Sequence, residues 1–435
     1  MEKQIYARLG ETLYSETLAN GLQVHLLPRK GYHKTYAMFT THYGSIDNEF
    51  VPIGTDKPVH VPDGIAHFLE HKMFDQKDHD VFETFGKYGA DSNAFTSYTR
   101  TSYLFSCTDH VKQNLETLLD FVQEPYFTEQ SVNKEKGIIA QEIQMYEDDP
   151  NWQLFSGILA NLYPQHPVRL DIAGTVDSIQ AITPDELYTA YNTFYNPSNM
   201  DLFVTGKLVP DEMMGWIRAN QEAKEFPQAA PIQRFYPTEA EDGSDILPYR
   251  VLEMSVQRPK SIVGLKGLHR FPEDENGLKD ELALNLLFQM LFGSSSKNYT
   301  RLYDAGTIDD SFGYEIDVDR SFNFATISGD ANNAQEFSDA IIDILEHYPD
   351  SPELTNSHLQ HVERGTIGKY LQSWNSLEAV ANQFTDTNFG DANLFEVLPI
   401  LDSLTLDDIK HTAAHYIDLD ALSVFHILPK DTTTA

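Results

Sequence analysis

Apolar residues at helical spacing follow Asp63-Gly64: Ala66, Leu69, Met73 and Phe74. The dipeptide is a helix-start signal and the four residues give one side to bury, so the pattern predicts a helix whose other face turns to a cleft. That other face carries His67, Glu70 and His71. Further along, Asn133 to Tyr146 predicts a second helix, with Glu135 and Glu142 two turns apart on one face. Between the two, Asn93 to Ser106 is dense in Thr, Tyr and Phe and reads as a strand.

The pattern repeats once. Sliding the chain by 222 residues aligns Thr183 with Thr405, Asp185 with Asp407, Leu187 with Ile409, Phe194 with Tyr416 and Phe203 with Phe425. Each copy predicts a helix that starts at its threonine and a closing strand, MDLFVTG in one and ALSVFHI in the other. Phe226 to Pro248 separates them, a polar stretch rich in Pro and Ala with neither periodicity, which is a linker signal. The expected division is therefore a first domain over 1–229, a linker over 230–248 and a homologous second domain over 249–435. Asn276 to Phe292 predicts the second copy's counterpart of the first helix; it holds no histidine, so the second domain carries no metal motif.

Composition fits this division. A chain of 435 residues is too long for one ordinary core, and 41% hydrophobic with 12% aromatic residues supports packed cores. No apolar run approaches the ~18 to 20 residues of a membrane span. The start, MEKQIYARLGETLYSETL, has no basic-then-apolar run, so a cytoplasmic location is expected. The single cysteine, Cys107, has no internal disulfide partner, in keeping with a reducing compartment, and reads as a small buried residue. A net charge of −35 disfavours nucleic acid and anionic membrane and favours a cationic guest.

His67 and His71, four apart with Glu70 between them, form the arrangement a zinc-dependent hydrolase needs for two ligands and a base. Chance produces such a motif in roughly a few per cent of chains of this composition. The second helix changes that weighting. A catalytic zinc takes three protein ligands, and two histidines with one carboxylate form a known set. Glu135 and Glu142 lie about 10 Å apart along the helix axis, so only one of them binds the metal. Glu147 lies ~140° around the helix from Glu142 and is expected in solvent. His33, His60, His79 and His110 are isolated and carry little weight as ligands.

HFLEHKMF, GADSNAFTSYTRTSY (Gly89 to Tyr103) and EKGIIAQEI (Glu135 to Ile143), in that order, resemble the pitrilysin and insulysin superfamily of inverted-motif zinc peptidases. The likeness is closest to its processing-peptidase branch of two-subunit bacterial relatives, and it extends through His166 to Leu187 and Phe194 to Leu208. It implies an α+β fold of two homologous domains, each a mainly antiparallel sheet packed with helices. It implies one zinc ion held by His67, His71 and Glu142, with Glu70 as general base toward a zinc-activated water. Glu135 matches the family's second carboxylate, placed to orient a ligand. Asn93, Ala94 and Phe95 match the edge strand that binds substrate by adding an extended peptide to the sheet. Arg100 stands where many relatives carry an acidic residue, so no family role is transferred to it.

The expected activity is zinc-dependent endopeptidase or oligopeptidase cleavage. Relatives also use an Arg and Tyr pair in the second half to reach substrate. The pair is not evident here: Tyr303 and Asp309 stand roughly at those positions, and Arg301 and Tyr314 are the candidates for displaced substitutes. A homologous second subunit supplying Arg/Tyr contacts is therefore the expected partner, and a homodimer is the other arrangement. Two other readings keep the fold without catalysis: a structural subunit, and a zinc-free peptide-binding module. The complete ligand set argues against the first, and metal content distinguishes the second.

Overall fold

The computed structural model of the protein describes residues 1–228, 230–387, 389–390 and 392–430. It forms two compact units. The first comprises Met1–Gln144, Leu170–Tyr236 and Trp374–Asp386; the second comprises Met145–Arg169, Pro237–Ser373 and the described residues from Thr387 on.

Strands β1 (Glu2–Tyr6), β2 (Glu11–Thr17), β3 (Gln23–Pro28) and β4 (Thr35–Thr41) open the chain, followed by the short pair β5 (Glu49–Phe50) and β6 (Val59–His60). Helices α1 (Ile65–Met73) and α2 (Val81–Lys87) lead to β7 (Asp91–Thr96) and β8 (Thr101–Cys107). Next come α3 (Val111–Gln123), α4 (Glu129–Asp148), α5 (Pro150–Leu162), α6 (Val176–Ala181), α7 (Pro184–Phe194), β9 (Met200–Gly206) and α8 (Pro210–Glu222). The second half runs β10 (Tyr249–Met254), β11 (Lys260–Lys266), α9 (Glu275–Phe292), α10 (Lys297–Asp304), β12 (Gly313–Asp319) and β13 (Phe322–Asp330). It closes with α11 (Ala334–Glu346), α12 (Asn356–Ser373), α13 (Leu377–Asp386), α14 (Val397–Ser403), α15 (Leu406–Tyr416) and β14 (Leu422–Pro429). Among the described residues no helix is long and apolar enough to cross a membrane.

The first sheet has the order β1-β2-β3-β9-β4-β8-β7 and the second β10-β14-β11-β13-β12. β9 runs parallel to β3 and antiparallel to β4, and β14 runs parallel to β10 and antiparallel to β11. The second sheet thus repeats the first without the β1–β2 hairpin. The sequence repeat has a local cause: Thr183 and Thr405 each cap a helix reciprocally with the third residue on, Glu186 and Asp408. The α+β architecture expected from the sequence is the one observed.

The stretch Asn93 to Ser106 is a hairpin rather than one strand. Ser97 N–H donates to the Arg100 carbonyl at 2.8 Å, and Ser97 Oγ accepts from Arg100 N–H at 3.2 Å, closing a turn of Ser97-Tyr98-Thr99-Arg100. No Gly or Pro marks that turn, which is why residue composition concealed it. β8 then pairs with β4, every residue of which is buried, and β7 is left at the edge of the sheet.

Each unit also takes a helix from the other half of the sequence. α5 packs on β14 and β11 in the second unit; α13 packs on β9 and β4, the corresponding strands of the first. Gly157 explains the closeness of α5, since a Cβ there would stand 2.5 Å from Cζ of Phe425. Asn161 Nδ2 donates to Ser423 Oγ at 3.0 Å. In the first unit the Phe384 ring lies 4.6 Å from Phe203, and Arg100 donates to Thr385 Oγ1 at 2.8 Å and pairs with Asp386 at 2.9 Å. The contiguous division at 229 and 249 differs from the compact units by these two segments. Part of the expected linker is also anchored: Arg234 pairs with buried Asp47 at 3.1 Å, and the Tyr236 hydroxyl donates to the same carboxylate at 2.7 Å.

A fragment of residues 1–236 lacks α13 over β4 and β9, and it exposes Leu154, Ile158, Leu159 and Leu162 of α5, which are buried in the whole chain. Expressed alone it should aggregate or bind a hydrophobic dye, and co-expression with 237–435 should recover a soluble complex. Cooperative unfolding of the isolated, monomeric fragment would contradict this account.

Candidate metal centre

α1 begins where two backbone turns press together. Gly64 has φ 87°, and a Cβ on it would lie 2.3 Å from the Ala173 carbonyl oxygen; Gly174, at φ 77°, would reciprocally meet the Asp63 carbonyl oxygen at 2.4 Å. Only glycine satisfies both the left-handed conformation and this approach. Asp63 does not cap the helix with its side chain. Its carboxylate accepts from Asn48 Nδ2 at 2.9 Å and its carbonyl accepts from Ser178 Oγ at 2.8 Å. The segment from Ala173 to Ser178 therefore braces the start of α1. Ile65, Phe68, Leu69 and Met73 are buried beneath it.

The polar face of α1 meets α4. Glu135 Oε1 is 3.0 Å from His71 Nδ1. Glu142 Oε1 is 3.6 Å from His67 Nε2, and its Oε2 is 3.6 Å from His71 Nε2. Ligand atoms of His67, His71 and Glu142 lie within 4.8 Å of one another, the group among the described residues suited to a metal ion. Both 3.6 Å separations exceed a hydrogen bond, so the two imidazoles and the carboxylate face one another without being bonded directly. The donor set fits zinc in chemistry. Glu135 accepts a hydrogen bond from His71 Nδ1–H, which in the neutral ring leaves the Nε2 lone pair facing Glu142. His67 Nδ1 is buried without a hydrogen-bond partner, and Nε2 is the nitrogen that faces the group.

Burial sets the protonation states. His67, 9% exposed, is pushed down to about 3 by burial and then by the neighbouring His71, so its imidazole is neutral and ready to bind metal. Burial also pulls His71 down, but its hydrogen bond to Glu135 and the charges of Glu70, Glu135 and Glu142 outweigh that and hold it above the usual imidazole range. Burial raises Glu70 above the usual carboxylate range, against the opposing hydrogen bond from Thr96. Thr96 Oγ1 donates to Glu70 Oε2 at 2.5 Å.

The five charged or ligating side chains singled out in the sequence thus come together: His67, Glu70, His71, Glu135 and Glu142. Asn93, Ala94 and Phe95 lie on β7, opposite Leu104, Tyr103 and Ser102 of β8, with no strand on its other side among the described residues. Asn93 is exposed and its Oδ1 accepts from the Ala94 N–H at 2.9 Å; Phe95 lies 5.4 Å from the Arg100 guanidinium. Thr96, on the Ala94 face of the strand, was not singled out. Strand alternation carried the signal, a hydroxyl two residues from Ala94 on the side that meets α1.

In the second unit, Tyr303 donates to Asp310 at 3.1 Å and Asp309 pairs with Arg258 at 2.6 Å, so both expected positions are engaged locally. Arg301 is exposed on α10. Tyr314 sits half-buried by Phe288, its hydroxyl pushed up to about 12 by burial. Glu147 is exposed and Cys107 buried, as expected.

Comparison with known proteins agrees with this geometry. The family model described as insulinase, peptidase family M16, matches residues 59–176, and that of the peptidase M16 inactive domain matches 181–362. The uncharacterized zinc protease YmfH of Bacillus subtilis is 48% identical over 98% of both chains. The crystal structure of an M16-like peptidase from Alicyclobacillus acidocaldarius superposes with a TM-score of 0.91 at 35% identity, over 97% of this chain and 99% of that one. A Helicobacter pylori protease shares the fold at a TM-score of 0.81 and 21% identity, over 96% and 99% of the two chains. With such identity held from end to end of a zinc protease, and a histidine pair and glutamate gathered where the insulinase model matches, the chain belongs to peptidase family M16 and is a zinc metallopeptidase.

Proposed function

We propose that the chain is the zinc-bearing, peptide-cleaving member of a pair of homologous chains, acting as an endopeptidase or oligopeptidase. The convergence of His67, His71 and Glu142 beside the buried Glu70 carries this reading. A zinc ion held by those three residues supplies a Lewis acid that acidifies water and polarises a carbonyl. Glu70 accepts the proton of the attacking water and returns it to the leaving amine. Glu135 holds the His71 ring in the tautomer and orientation that present Nε2. An extended peptide adds to the free edge of β7, where main-chain hydrogen bonds supply affinity and Asn93, Ala94 and Phe95 supply orientation and preference. The net charge of −35 favours a cationic peptide. The local pairing of Tyr303 and Asp309 supports a partner that provides the missing substrate contacts.

Glu70→Gln removes the proton acceptor and leaves the ligands intact. Zinc should stay near stoichiometric by elemental analysis while peptide hydrolysis falls by ~10² or more. Near-normal turnover by the purified, zinc-loaded variant would refute the base assignment.

Glu142→Gln should lose zinc on dialysis. Glu135→Gln should weaken zinc affinity by ~10 to 100-fold at most, since it acts through His71. The opposite order in a competitive chelator titration would mean the two carboxylates are reversed.

Alone, the protein should cleave a peptide library slowly and gain activity on mixing with a related chain whose own HxxEH is degraded. Exclusion of water and better orientation of the peptide are the physical reasons for the gain. Robust hydrolysis by a verified monomer or homodimer, unchanged by any partner, would overturn the pairing.

A further inference from the structure

We infer that Thr96 is a positioning residue for the Glu70 base and couples it to the substrate strand; the inference rests on Glu70 being that base. Thr96 is the last residue of β7, the strand with the free edge, and its hydroxyl is 2.5 Å from Glu70 Oε2. The distance is that of a charge-assisted O–H···O⁻ bond. Proton bookkeeping agrees. Thr101 Oγ1, 3.4 Å from Thr96 Oγ1, has a shorter bond to the Tyr43 carbonyl at 2.9 Å and donates its one proton there. The Thr96 proton goes to Glu70, because the carboxylate oxygen at 2.5 Å accepts only and is much nearer than the Thr101 oxygen at 3.4 Å. With Oε2 held, Oε1 is the oxygen left to take up and release the reacting proton, for it has no hydrogen bond among the described residues.

The arrangement links binding to chemistry. Glu70 is anchored at one end by α1 and at its carboxylate by β7. A peptide that pairs along β7 stiffens the strand on which Thr96 sits and so fixes the carboxylate in its reactive orientation. Without the hydroxyl, a buried carboxylate loses its hydrogen bond and rotates more freely.

Thr96→Val keeps the β-branched shape and removes the donor; Thr96→Ser keeps the donor. In the form of the enzyme that gives wild-type turnover, Thr96→Val should lower kcat by about 10- to 100-fold with KM and zinc content little changed, and Thr96→Ser should stay within about threefold. In a Glu70→Gln background, Thr96→Val should cause no further loss, because the two residues act as one unit. Independently of turnover, infrared difference spectra against Glu70→Gln identify the Glu70 carboxylate band, which Thr96→Val should shift and Thr96→Ser should not. An unchanged band, a rise in KM at constant kcat, or additive losses in the double variant would overturn the inference. Full activity of Thr96→Val with an inactive Glu70→Gln defeats this inference alone, whereas an active Glu70→Gln defeats the base assignment beneath it.

Discussion

Glu70, Glu135 and Glu142 are like charges gathered at partly buried positions where α1 meets α4, and the first unit must hold them together. Isolated, three carboxylates beside two imidazoles are costly to bury. The cost is offset locally by specific partners: Thr96 for Glu70, the His71 N–H for Glu135, and for Glu142 a position facing both imidazole Nε2 atoms. A divalent cation held among those last atoms would complete the balance and couple metal binding to the stability of this region. The neutral state that burial imposes on His67 serves the same end, because a protonated imidazole is no ligand.

Rigid placement of α1 against α4 follows from that demand. The ligand helix is short, and its start is fixed by the Gly64–Gly174 approach and the Ser178 hydrogen bond rather than by a capping side chain of its own. The second unit keeps the frame and omits the demand. Where α1 carries imidazoles and a carboxylate, α9 carries buried Leu284, Leu287, Phe288 and Leu291. Its sheet repeats the strand order, down to β12 at the edge position that β7 holds in the first. One frame thus supports a polar helix in one copy and an apolar helix in the other.

The reciprocal placement of α5 and α13 gives this duplication a further consequence. Each sheet is completed by a helix encoded in the other half, so the two copies depend on one chain folding through both. Arg100 belongs to this scheme. Buried and tied to Thr385 and Asp386, it fastens α13 to the strand hairpin next to the metal centre, which gives it a structural part in place of any family role.

The sequence alone determined what short-range geometry determines. The spacing of His67, Glu70 and His71, the two-turn separation of Glu135 and Glu142, and the paired threonine caps are properties of single helices, and each is present as expected. The order of motifs, by its likeness to a family, was enough to choose Glu142 over Glu135 as the residue facing both imidazoles. Tertiary structure decided the rest. The turn at Ser97–Arg100 lacks Gly and Pro and forms because β8 must lie beside β4. Thr96 acquires its partner only when β7 meets α1, and α5 and α13 acquire their sheets only through packing over more than 200 residues of chain. Periodicity records which face of an element is buried, but not which surface buries it; that choice depends on shape and contact between segments far apart in sequence.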